Sequence, residues 1–175
     1  MLRPSTPVLI AALASVLAAC AVETPPAEQP SFYRSMASPT ATLDADAAAS
    51  MISGYRANNG LASVAVDPVL MLLAREQAQA MAARDKIDHD VKGAFAKRMQ
   101  AAGFDGKVAV ENISAGYHTL AEAFSGWRDS PPHRANMLKD GVTRMGIAAV
   151  YTPGSKYKVF WALILAAPDG KDGQT

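Results

Sequence analysis

The chain predicts an α+β domain in which a small, mainly antiparallel sheet is sandwiched between two layers of helices. Three observations carry that prediction. The stretch Val159-Phe160-Trp161-Ala162-Leu163-Ile164-Leu165 is apolar at odd and even positions alike, so a strand there needs cover on both faces. Two helix starts are written as an acceptor side chain followed by proline, Asp67-Pro68 and Ser130-Pro131. A single cysteine among 175 residues leaves no intrachain disulfide, so the domain stands on a packed core.

The first residues read as an export signal rather than as part of that core. Arg3 precedes an apolar run from Val8 to Ala19, interrupted by Ser15 alone, and a small-residue site. The run of about 12 residues makes about 18 Å of helix, short of the about 20 residues that a bilayer span requires. Leu17-Ala18-Ala19-Cys20 resembles the lipobox of bacterial lipoproteins, which implies acylation of Cys20 and cleavage just before it. Ala21 is not the Asp that holds many such proteins at the inner membrane, so the outer membrane is favoured. The expected organisation is a signal peptide at 1–19, a Pro/Thr/Ser-rich tether at 20–43, a folded domain at 44–168 and a polar tail at 169–175. Within the tether, Phe32 and Tyr33 stand out as residues that could dock on the domain or on the membrane interface. Removing 1–19 takes away one positive charge, Arg3, and leaves acidic and basic residues balanced. A neutral chain offers no electrostatic footprint for nucleic acid.

Residues 44–58 form the first predicted helix, with Met51, Ile52 and Tyr55 on one side and a stop at Asn59-Gly60. The second opens at Asp67-Pro68, carries Leu70, Leu73, Ala74, Ala78 and Met81 at helical spacing, and ends near Asp85. A third, over 93–102, places Phe95 and Met99 four apart and stops at Gly103. Val108 and Val110 alternate with polar neighbours in a short strand leading to Glu111. The fourth helix begins at Thr119 with Leu120, Phe124 and Trp127 inward, which turns Glu122 to solvent at about 100° per residue. A short helix follows from Ser130-Pro131 to Leu138. The chain closes in a hairpin: residues 143–151, a Thr152-Pro153-Gly154-Ser155 turn, then 157–166.

Several landmarks run through these elements: Tyr55-Arg56-Ala57-Asn58-Asn59-Gly60-Leu61, His89, Glu111-Asn112-Ile113, Ala115-Gly116, Trp127-Arg128-Asp129-Ser130-Pro131-Pro132-His133-Arg134-Ala135-Asn136-Met137-Leu138, and Met145-Gly146-Ile147. Their order and spacing resemble the bacterial branch of the SCP/CAP superfamily, over about residues 44–168. The resemblance implies an α-β-α sandwich with an open cleft that holds two histidines and acidic partners. By motif position these are His89, His133 and Glu111. Ser130 stands where many eukaryotic members carry a second glutamate, and the eukaryotic disulfides are absent.

Two imidazoles at a cleft suit Zn²⁺ or another late divalent metal. With His89 and His133 as metal ligands, Glu111 would serve as third ligand or as general base, but not as both. The plainer reading of the same residues is structural: His89 at a helix end, Glu111 on backbone amides, His133 packed at the start of the short helix. Ser130 beside His133 invites a nucleophile and base assignment, which its N-cap position before Pro131 argues against. His118 reads as a surface or cap residue, and Arg134 and Asn136 as supports of the short helix. The leading expectation is an exported, membrane-anchored CAP-domain protein that binds a small apolar ligand or an envelope partner at His89, Glu111, Ser130 and His133. The alternatives are a zinc-assisted hydrolase of peptide or ester bonds, with Glu111 catalytic, and a structural envelope adaptor.

Overall fold

The computed structural model describes residues 29–104 and 108–167. The expected export signal at 1–19, the lipidation expected at Cys20, the first part of the expected tether and the expected polar tail lie outside the described residues. In chain order the elements are a 3-10 turn Ser31–Tyr33, α1 Ala45–Ala57, β1 Ala65–Val66, α2 Pro68–Arg84, α3 Phe95–Ala101, β2 Ala109–Ala115, α4 Leu120–Asp129, α5 Pro131–Met137, β3 Arg144–Tyr151 and β4 Val159–Ala166.

The four strands form one sheet in the order β1-β3-β4-β2. β3 and β2 flank β4 antiparallel, and β1 joins β3 in parallel. β4 is thus central, and its two alternating faces feed two cores. Val159, Trp161, Leu163 and Leu165 pack with Ile52 of α1 and with Leu120, Ala123 and Trp127 of α4. Phe160, Ala162, Ile164 and Ala166 pack with Leu70, Ala74, Ala78 and Met81 of α2 and with Met99 of α3. The doubly apolar strand therefore lies between helix layers, as its sequence requires, and the fold is the expected three-layer α+β sandwich.

The local signals explain the helix ends. Asp67 accepts from the N–H groups of Val69 and Leu70, and α2 ends at Asp85 in the left-handed region. Thr119 and Glu122 form a reciprocal capping box on α4. That is why Glu122 is exposed and bound to local backbone rather than turned into the molecule. Gly146 lets α2 lie close to β3, because a side chain there would meet the backbone of Leu70 and Met71.

Four expectations need correction. β1 is absent from the predicted elements; two residues are too short to show a period. β2 continues through Glu111 to Ala115, so Glu111 stands inside a strand rather than after one. α3 starts at Phe95, with Ala94 as its N-cap and no side-chain cap. The second half of the predicted tether is packed: Met36 is buried, its N–H bonds to the His118 carbonyl, and Phe32, Ala41 and Leu43 lie against the α1/α4 core. Tyr33 remains exposed. The burial of these apolar side chains holds the segment without regular structure.

Candidate functional site

The histidine and glutamate positions come together at the β2 edge of the sheet. In β2, Glu111 and Asn112 point to opposite faces, as successive strand residues do. Glu111 reaches the α2/α3 layer. There its carboxylate, only 2% exposed, accepts from His89 Nδ1 at 2.8 Å. It also accepts from Arg98 Nη2 at 3.0 Å on Oε1 and 2.8 Å on Oε2. Asn112 reaches the other way and donates to the His133 carbonyl at 3.0 Å. Asn136 of α5 closes the strand edge by donating to the Glu111 carbonyl and to Asn112 Oδ1.

The loop carrying His89 is fixed from behind. Gln77, buried in α2, donates from Nε2 to the carbonyls of Asp88 and His89. Arg98 Nη2 reaches the His89 carbonyl at 3.2 Å, and Nε reaches that of Gly93. Phe95 packs under the guanidinium with its ring centroid 5.2 Å away. Arg98 is a site residue that sequence reasoning missed. Its signal was its place: three residues after Phe95 and next to Met99, it lies on the apolar face of α3, where a cation needs a buried partner.

A carboxylate only accepts hydrogen bonds, so His89 carries a proton on Nδ1 and turns Nε2 outward from a ring whose side chain is 51% exposed. The Glu111 hydrogen bond pushes the His89 imidazole up from its ordinary value, with burial opposing it. His133 moves the other way: burial pushes it down, and the nearby charge of His89 adds to that. The two rings are thus pushed in opposite directions, His89 toward its charged form and His133 toward its neutral one. Ser130 is the N-cap residue of α5, yet its side chain makes no cap hydrogen bond. His118 is exposed and contributes its carbonyl, not its ring, to the Met36 contact.

These residues fit a three-ligand catalytic metal poorly. Both Glu111 oxygens are engaged by Arg98 and one by His89 as well, which makes the carboxylate an orienting partner of His89 rather than a ligand. Among the described residues, no three His, Cys, Asp or Glu side chains converge on a common point. Two imidazoles remain, one short of the usual catalytic zinc set. Two hollows, of about 490 Å³ and about 370 Å³, open elsewhere on the domain, and neither is lined by His89, Glu111, Ser130 or His133.

Comparison with known proteins places this geometry. The chain is 30% identical over 102 residues to the uncharacterized protein YkwD of Bacillus subtilis, a match covering 57% of this chain and 40% of that one. An extracellular protein containing a SCP domain from Bacillus anthracis superposes with a TM-score of 0.61 at 22% identity, over 70% of this chain and 40% of the other. An outer surface protein from Borrelia burgdorferi superposes with a TM-score of 0.64 at 17% identity, over 71% of this chain and 92% of the other. The chain thus spans well under half the length of the two Bacillus proteins. No helix among the described residues is long and apolar enough to cross a membrane. The model of the cysteine-rich secretory protein family, CAP, matches residues 49–165, from within α1 to within β4, and the chain belongs to that family.

Proposed function

We infer that the chain is an exported, lipid-anchored binding protein whose His89 face receives an envelope partner, and that it is not a hydrolase. One observation carries this reading: Glu111 is held on both oxygens by buried Arg98 and on one by His89. Three of the carboxylate's about four acceptor positions are taken by these bonds and the side chain is 2% exposed, so little of it is open to a water or a metal. What the set does offer is a half-exposed imidazole fixed in tautomer and direction, beside a second imidazole of opposite charge preference. That arrangement suits recognition of a polar or acidic surface group.

A small apolar ligand, the other expectation from the sequence, needs a concave apolar pocket around it. The half-exposed His89 ring and its bond to the Glu111 carboxylate favour a polar protein or glycan surface of the envelope over such a ligand. Export and anchoring through Cys20, with the outer membrane favoured, are part of the same proposal, which the lipobox-like Leu17-Ala18-Ala19-Cys20 and the extracellular and surface descriptions of the structural neighbours support.

Native mass spectrometry of the full chain, extracted gently beside a His89→Ala/His133→Ala variant, tests this. A bound species present on the natural chain and missing from the variant supports the His89 face. Hydrolysis of peptide or ester substrates that disappears in Glu111→Gln would establish the hydrolase instead.

A further inference from the structure

The two edges of the sheet are finished differently. Asn136 and α5 close the β2 edge, as described above. At the other edge β1 is two residues long and pairs only with Arg144 and Met145, while β3 runs on to Tyr151. Across the hairpin the Thr152 N–H bonds to the Lys158 carbonyl, so even-numbered residues of β3 face β4. Odd-numbered residues turn their peptide groups outward. The Met145 carbonyl accepts from Asp67, and the Ile147 N–H is met only by the Met71 sulfur at 3.2 Å. Beyond that point the outward groups of Ile147, Ala149 and Tyr151 have no backbone partner among the described residues.

This open stretch lines the hollow of about 490 Å³, whose opposite walls are residues 36–43 and one stripe of α2: Met71, Arg75 and Gln79, four apart. Sheet edges are usually blunted by charged side chains, proline or bulges. Residues 147–151 carry neither charge nor proline. Arg75 is exposed, and no ion pair to it is found among the described residues.

We propose that this edge docks an extended acidic peptide of a partner protein, which adds as a strand beside residues 147–151 and sets a carboxylate on Arg75. An alternating row of free peptide donors and acceptors is complementary to another peptide backbone, not to an acyl chain. Five residues span about 17 Å, enough for an independent recognition register. A second copy of the same edge is a poor match, because residues 144–151 contain no acidic side chain for Arg75. The site is separate from the His89 face and does not depend on the function proposed for it.

Fluorescence anisotropy with the full chain and a labelled Ser-Thr-Val-Glu-Val-Thr-Ser peptide tests the docking. Binding is expected with a Kd of about 1–100 μM, weakened at least about tenfold by Arg75→Glu. A peptide N-methylated at alternate residues should not bind, and exchange of the Ala149 and Tyr151 amides should slow in the complex. Ala149→Pro removes an outward N–H without touching the β4 ladder and should also abolish binding. If that variant does not fold, Arg75→Glu and the methylated peptide still decide. No binding up to about 1 mM, or binding indifferent to both changes, overturns the proposal. So does a dimer that Ala149→Pro dissolves, which would assign the edge to a second copy. Amides already protected in the free chain, and released when residues 21–28 are deleted, would assign it to the chain's own tether and overturn it as well.

Discussion

Replacing Arg98 by methionine removes one partner of a buried ion pair while keeping the length of the side chain. The Glu111 side chain is 2% exposed and that of Arg98 8%, so water cannot take over the vacated role. Breaking such a pair from one side costs about 3–5 kcal/mol, since the remaining carboxylate stays buried with only the half-exposed His89 ring as its partner. The bonds from Arg98 to the Gly93 and His89 carbonyls are lost with it. At about 3 °C per kcal/mol for a domain of this size, the melting temperature should fall by about 10–15 °C. Urea and thermal unfolding of Arg98→Met, Glu111→Leu and the double variant measure this. The double variant should recover at least half of the loss, because removing both charges together leaves no buried charge unpaired, only the His89 Nδ1–H and the carbonyls that Arg98 served. A loss below about 1 kcal/mol for Arg98→Met, or strictly additive single variants, would refute the claim that the pair is a buried, coupled unit.

The remaining predictions concern the scaffold and the titration of the site. Gly146→Ala should cost more than about 3 kcal/mol, measured by denaturant unfolding, because the added methyl meets the Leu70 carbonyl and Met71 nitrogen, which are backbone and cannot swing aside. Arg56→Lys should cost about 2–4 kcal/mol in the same assay. The fully buried guanidinium donates to the carbonyls of Ala62, Met137, Lys139 and Val142, a fork that a single ammonium cannot reproduce. His89 has a raised folded pKa, so its contribution is complete below about pH 6.5 and is lost as pH rises through the folded value. The stability gap between the natural chain and His89→Ala should therefore narrow above neutrality, by less than about 1 kcal/mol given the half-exposed ring. His133, pushed down, acts with the opposite sign: His133→Ala should gain on the natural chain as pH falls below about 6.5.

Much of this molecule can be read from its sequence because its strongest local signals agree with its tertiary contacts. Asp67-Pro68 caps α2, and the five apolar positions named on that helix are all buried. The doubly apolar β4 demanded two covering layers and received them. What stayed hidden depends on partners distant in sequence. β1 is a strand only because Thr143 and Met145 lie beside it. The irregular spacing of Phe32, Met36, Ala41 and Leu43 matches neither a helix nor a strand, although all four touch the core. Arg98 looks like a surface cation until the fold brings Glu111 to it, 13 residues on. The motif positions led to His89, Glu111 and His133, but not to the fact that Glu111 is already spoken for.

The most direct test of the His89 face as a recognition surface is zinc calorimetry on the full chain with Cys20 replaced, beside the His89→Ala/His133→Ala variant. Two imidazoles backed by an ion-paired Glu111 should give no site tighter than about 10 μM. A stoichiometric site tighter than about 1 μM, abolished in the variant, would make this face a metal centre and contradict the binding-protein reading.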